Sequence, residues 1–120
     1  MLIRKIKDCP EFSAGDGCKL REYLNPAKEL GLALRYSLAL AEVLPGDETK
    51  PHALTHSEVY YIIEGTGEMR VDEECSAVEA DSLVYIPPKA LQSIKNTGKS
   101  VLRFICMVDP AWTPACETVI

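Results

Sequence analysis

The chain of 120 residues holds only two histidines, one tryptophan and two phenylalanines, and it lacks any excess of positive charge, with 13 Lys and Arg against 18 Asp and Glu. With a net charge of −5 it has no basic footprint for nucleic acid. No window approaches the roughly 18 consecutive apolar residues of a membrane span. The opening MLIRKIKDCP has basic residues but not the apolar stretch that follows them in a secretory signal, so a cytoplasmic location is expected. None of the five cysteines (Cys9, Cys18, Cys75, Cys106, Cys116) forms a C-x-x-C pair, and an odd count does not suit a disulfide framework. Reduced thiols are the expectation, with Cys106 a small hydrophobe in mid-strand. Low-complexity tracts and internal repeats are absent as well. What remains is 47% apolar residues, enough for one folded domain around a single core.

The patterning is that of strands. Between Gly31 and Pro45, Leu32, Leu34, Tyr36, Leu38 and Leu40 recur at every second residue, which places them on one side of a strand and scatters them around a helix. Val59 to Ile63 is rich in β-branched and aromatic residues, ends at Glu64-Gly65-Thr66-Gly67 and is followed by renewed alternation over Glu68 to Val71, a hairpin signal. Ser82 to Ile86 stops at Pro87-Pro88, and Gln92 to Ile94 closes at Asn96-Thr97-Gly98. Val101 to Val108 is apolar on both faces, as in a closed or two-layered β structure. Short strands with turn signals at intervals of about ten residues predict an antiparallel sandwich or barrel. The tail DPAWTPACETVI is interrupted by proline and is expected to wrap the outside, with Trp112 capping a core edge or a subunit interface.

Both histidines fall in PHALTHSEVYYIIEG, where His52, Leu54, His56 and Glu58 share a strand parity that a bend near Ser57 would break. Imidazoles and a carboxylate on one face of a barrel strand make a plausible divalent-metal site, and an exposed polar loop is the plainer alternative. The chain here resembles the cupin superfamily, in particular small single-domain cupins of the mannose-6-phosphate isomerase-like kind. Gly46, His52, Glu58 and Gly65 match the first cupin motif, G-x5-H-x-H-x3-E-x6-G, and Pro87 and Asn96 match the second, G-x5-P-x-G-x2-H-x3-N. Leu54 and Gln92 stand where the family has its second and third histidines, and Asp81 and Lys89 replace glycines.

The resemblance implies an all-β double-stranded β-helix, the jelly-roll cupin barrel, with a single domain over 1–120, its core about 32–112 and flanking segments 1–31 and 113–120. It implies a metal site from which His52 and Glu58 survive. His56, two residues before Glu58, is the candidate to replace the histidine missing at Leu54, and Gln92 is the candidate to ligate through its amide oxygen. A set of His52, His56, Glu58 and Gln92 suits Fe, Mn, Zn or Ni as the divalent ion. Arg35, Tyr36, Tyr60, Tyr85 and Arg103 are the candidate substrate-binding residues, a guanidinium being suited to carboxylate or phosphate. No catalytic base is evident beyond Tyr36 or Tyr60. Two functions stay open, metal-assisted chemistry on a small sugar-like or organic acid molecule and metal-free small-molecule binding or sensing. The first thirty residues are too few for a helix-turn-helix domain, and a homodimer is expected by resemblance.

Overall fold

A computed structural model describes residues 1–120, and it is all β apart from single 3-10 turns at Ile6–Asp8 and Pro114–Cys116. No helix is long and apolar enough to cross a membrane. Eleven strands run β1 (Glu11–Ser13), β2 (Lys19–Leu24), β3 (Ser37–Val43), β4 (His52–Leu54), β5 (Ser57–Glu64), β6 (Thr66–Val71), β7 (Glu74–Glu79), β8 (Leu83–Ile86), β9 (Gln92–Asn96), β10 (Leu102–Asp109) and β11 (Glu117–Val119). They form two antiparallel sheets, one in the order β1-β2-β3-β10-β5-β8 and the other β11-β4-β9-β6-β7. This is the jelly-roll architecture the sequence predicts, with the core held between the inner faces.

Alternation explains the core. On β10, Leu102, Phe104, Cys106 and Val108 are buried while Arg103, Ile105 and Met107 are half-buried on the outer face. The inner face of β10 meets Tyr60 and Ile62 of β5 and Met69 and Ile94 from the opposite sheet. The Tyr60 and Phe104 rings tilt against each other at 4.5 Å between centroids, a favourable aromatic contact.

The chain crosses between sheets at two corners that position the site. Thr55 and His56 form a bend, so β4 lies in one sheet against β9 and β11 while β5 lies in the other against β10 and β8. Gly65 makes the second corner. The expected hairpin between Ile63 and Glu68 is corrected there, because β5 and β6 belong to different sheets and β6 pairs with β7 and β9. The reason is steric: Gly65 has φ +92° and a Cβ there would lie 2.7 Å from Val101 O. Left-handed φ also occurs at Gly46, Asp81 and Lys89, so every glycine position of the two motifs that bends the chain keeps that backbone, including the two where the side chain has changed.

The flanks depart from expectation. Strand β3 begins only at Ser37; Leu32 and Leu34 lie before it, along a shallow apolar groove with Leu2, Tyr23, Leu24 and Leu38. The first segment is part of the sheet, with β2 paired along β3 from Lys19↔Glu42 to Leu24↔Leu38. The tail does not merely wrap the outside, since β11 adds to the edge of the second sheet against β4.

Candidate functional site

Between the sheets lies a cavity of about 50 Å³, with Asp16, Cys18, Glu22, His52, Leu54, Glu58, Tyr60, Cys106, Trp112 and Glu117 among its lining residues. Its wall carries four carboxylates and one imidazole, and no lysine or arginine. Only Glu22 has a basic partner, Lys28 at 2.9 Å.

Asp16 sits in the turn between β1 and β2. Its Oδ1 accepts the Cys18 N–H at 2.9 Å, the local bond that aspartates form with the backbone two residues on, and its main-chain carbonyl accepts Lys50 N–H at 2.8 Å. The turn is thereby tied to the residues just before β4, with the carboxylate aimed inward and Asp16 only 6% exposed. His52 opens β4 and is 3% exposed. Its Nδ1 lies 2.7 Å from Lys50 O, and a carbonyl only accepts, so Nδ1 carries the hydrogen and Nε2 faces the cavity. Nε2 is 3.4 Å from Asp16 Oδ2. Glu117 comes from β11, where it pairs directly with Leu54. One ligand-type atom from each of Asp16, His52 and Glu117 lies within 4.8 Å of the others.

A second cluster adjoins this one, since His52 on β4 pairs directly with Gln92 on β9. Gln92 Nε2 donates to Glu58 Oε1 at 3.0 Å, and Gln92 Oε1 accepts the Tyr60 hydroxyl at 2.9 Å. Burial pushes the Glu58 carboxyl up to about 8; the Gln92 hydrogen bond opposes the rise, and the charges of Asp16 and Glu117 add to it. Burial likewise raises the Tyr60 phenol well above its ordinary value, which keeps it protonated and unavailable as a base. Glu117 is raised by burial, an effect that His52 opposes and Asp16 reinforces. The Cys18 and Cys106 thiols are both pushed up, first by burial, and are unreactive by that measure.

Of the four residues expected to share an ion, His52, Gln92 and Glu58 are neighbours, through the His52↔Gln92 strand pair and the Gln92–Glu58 hydrogen bond, and His56 does not join them. His56 lies in the bend after β4, donates from Nδ1 to Pro110 O at 2.8 Å and does not line the cavity. The parity that joined it to His52 ends where the chain changes sheets. Gln92 is 1% exposed with both ends of its amide engaged, by Glu58 and Tyr60. The set inherited from the two motifs therefore does not fit a metal: one imidazole remains, Leu54 offers no donor, and Glu58 and Gln92 bond each other. Of the expected substrate-binding residues only Tyr60 reaches the cavity. Arg35 pairs with Asp109 at 3.4 Å on the surface, Tyr36 and Tyr85 are exposed, and Arg103 lies on the outer face of β10. Trp112 lines the cavity beside the small cluster of Leu54, Val108 and Cys116. Sequence reading missed Asp16 and Glu117. A turn at Gly15-Asp16-Gly17 was legible, but nothing local said that its carboxylate points inward, and Glu117 is placed only by the pairing of β11.

Comparison with known proteins agrees with this architecture. Residues 39–108 match the cupin domain family. An uncharacterized protein of Methanocaldococcus jannaschii is 38% identical over 99 residues, 82% of this chain and 78% of that protein. Among solved structures, a cupin 2 conserved barrel domain protein of Salinispora arenicola superimposes with a TM-score of 0.77 at 16% identity, over 97% of this chain and 92% of that one. A protein described as a predicted oxalate decarboxylase of Thermotoga maritima gives 0.77 at 18% identity, over 91% and 99%. With both motifs in register, two facing jelly-roll sheets and a family match over more than half its length, the chain belongs to the cupin superfamily.

Proposed function

We propose that this cupin holds a divalent cation in its barrel and, through it, a small oxygen-bearing molecule of the size of a short organic acid. The observation that carries this reading is the charge on the cavity wall: Asp16, Glu58 and Glu117 share one imidazole and no Lys or Arg. Burying like charges together is unfavourable, and a proton on Glu58 relieves only part of it. An organic acid alone adds to the repulsion, whereas a dication reverses its sign. Divalent metals are common in cupins, and mixed nitrogen and oxygen donors suit Mn(II), Fe(II), Zn(II) or Ni(II). A cavity of about 50 Å³ has room for a few water-sized groups and is far below the roughly 300–1,000 Å³ of pockets for larger ligands. That favours a short acid, in keeping with the likeness to a predicted oxalate decarboxylase, over the sugar phosphates suggested by the mannose-6-phosphate isomerase-like resemblance. When bound, the cation supplies a Lewis acid that polarises a carboxylate or carbonyl oxygen. The chain itself excludes water with Leu54, Phe104 and Trp112 and holds a proton on Glu58.

Melting curves of the full chain with Mn(II) alone, oxalate alone and both together test this reading. The melting temperature rises with Mn(II) and further with both, because each ligand binds the native state. A rise with oxalate in the presence of a chelator, and none with Mn(II), replaces it with the second reading, a metal-free binding module. That alternative is favoured by Leu54 at a motif histidine position and by the closed Glu58–Gln92–Tyr60 network. A homodimer in the cytoplasm completes the proposal; it is supported by the exposed apolar residues Tyr61, Ile63, Leu83 and Tyr85 on one sheet face. Light scattering of the wild type and of Leu83→Lys checks the dimer, since a monomeric wild type rules it out.

A further inference from the structure

We infer that the cation site of this barrel is the corner formed by Asp16, His52 and Glu117, without the motif residues Glu58 and Gln92 as ligands, and that its occupant ties the β1–β2 turn and β11 to β4. This rests on the reading that the barrel binds a cation; it adds which residues hold it.

Four observations converge on that corner. First, two ligands about 2.1 Å from one ion at a tetrahedral angle are about 3.4 Å apart. That is the distance from His52 Nε2 to Asp16 Oδ2, with a Glu117 carboxylate oxygen within 4.8 Å of both ligand atoms. Second, the Lys50 carbonyl takes the Nδ1 hydrogen of His52, so Nε2 is the ring atom turned to Asp16 Oδ2, an arrangement that calls for a proton or a metal cation between the two. Asp16 Oδ1 is held by the Cys18 N–H, which leaves Oδ2, on a residue only 6% exposed, aimed at that ring atom. Third, the residue paired directly with Leu54 is Glu117, so the neighbouring strand brings a carboxylate to the place where the motif's second histidine is missing. Fourth, a Cβ on Gly15 would lie 3.1 Å from Glu117 Oε2, so the bare glycine gives that carboxylate its room beside Asp16.

In the adjoining cluster the Gln92 amide is taken up at both ends, by Glu58 and Tyr60, and is not free to ligate. One imidazole and two carboxylates leave further coordination positions toward the cavity, as in metal sites that take an exogenous ligand. Two of the three ligands lie outside residues 39–108, the stretch that matches the cupin domain family. The cation would thus join segments that carry no part of either motif.

The test uses the full chain, stripped with a chelator and titrated with Mn(II) alone, with bound metal followed by dialysis and by its EPR signal. The intact chain takes up about one equivalent. Glu117→Gln and Asp16→Asn weaken uptake by at least about tenfold, and by more than Glu58→Gln does. Asp16→Asn keeps the acceptor that closes the turn, and each variant must melt cooperatively; if Asp16→Asn does not, Glu117→Gln alone decides. Hydrogen exchange supplies a second readout. Mn(II) slows exchange in β11 and at Ile120, whose N–H bonds Pro51 O at 2.9 Å, and fails to do so in Glu117→Gln. If Glu58→Gln abolishes uptake while Glu117→Gln and Asp16→Asn retain it, this ligand set is wrong and the cation reading stands. If the intact chain takes up no Mn(II), both fall.

Discussion

Two polar clusters adjoin each other at one small cavity, one made of motif residues and their neighbour Tyr60, the other built by flanking residues around the motif's His52. Glu58, Gln92 and Tyr60 come from β5 and β9, lie on the inner faces and are linked by two hydrogen bonds through the Gln92 amide. Asp16, His52 and Glu117 come from a turn, a strand start and an edge strand, and meet only at 3.4 Å or more. A closed network rigidifies a core and stores a proton; an open one leaves lone pairs for something else. On the proposed cation site, the motif's His52 remains a ligand while Glu58 and Gln92 persist as structure.

The sharpest way to break this comparison is through the closed cluster's proton. Glu58 titrates near 8 in the folded protein, above the ordinary carboxylate value of 4.5. The native state thus binds this proton more tightly than the unfolded chain does. The resulting stability is fully present below about pH 4.5 and is lost as pH rises through about 8, a change on the order of 5 kcal/mol. Urea unfolding of metal-free protein should show the decline, with Glu117, also raised by burial, adding to it. Glu58→Gln keeps an acceptor for Gln92, so it should match the wild type near pH 5 and exceed it near pH 9; a flat wild-type profile contradicts the buried proton.

Smaller effects sharpen the same contrast. Tyr60→Phe keeps the ring against Phe104 but removes the donor to Gln92, a loss of about 1–3 kcal/mol by denaturant midpoint if the network is closed as described. Lys89→Gly restores a motif glycine at φ +71°, where a side chain is strained, and should gain about 0.5–1 kcal/mol; a loss would mean that Lys89 has a role beyond the bend. His56→Ala removes an exposed bond to Pro110, and should shift stability by less than about 0.5 kcal/mol while leaving Mn(II) uptake intact.

The barrel was legible because its signals are local and repeated. Alternation in β10, the motif spacing and the turn residues state the fold, and left-handed φ at Asp81 and Lys89 shows the register surviving substitution. The sheet assignment was not legible: Glu64-Gly65-Thr66-Gly67 has the composition of a hairpin turn, and only the close approach of Val101 makes Gly65 a corner. Strand β7 escaped because Val78 is its one buried residue, which leaves no alternation to read. At the cavity, His52 and Glu58 are present in its wall and His56 is not, since strand parity ends at a bend of two residues. Asp16 and Glu117 meet His52 only through the pairing of distant strands, a relation that no single stretch of sequence encodes.

The most direct measurement is anomalous diffraction at the manganese edge from crystals of the full chain soaked in Mn(II). One peak within coordination distance of His52 Nε2 and the Asp16 and Glu117 carboxylates is predicted, with Gln92 still bonded to Glu58. A peak on Glu58, with Gln92 turned away from it, or an empty cavity in metal-soaked crystals, would contradict it.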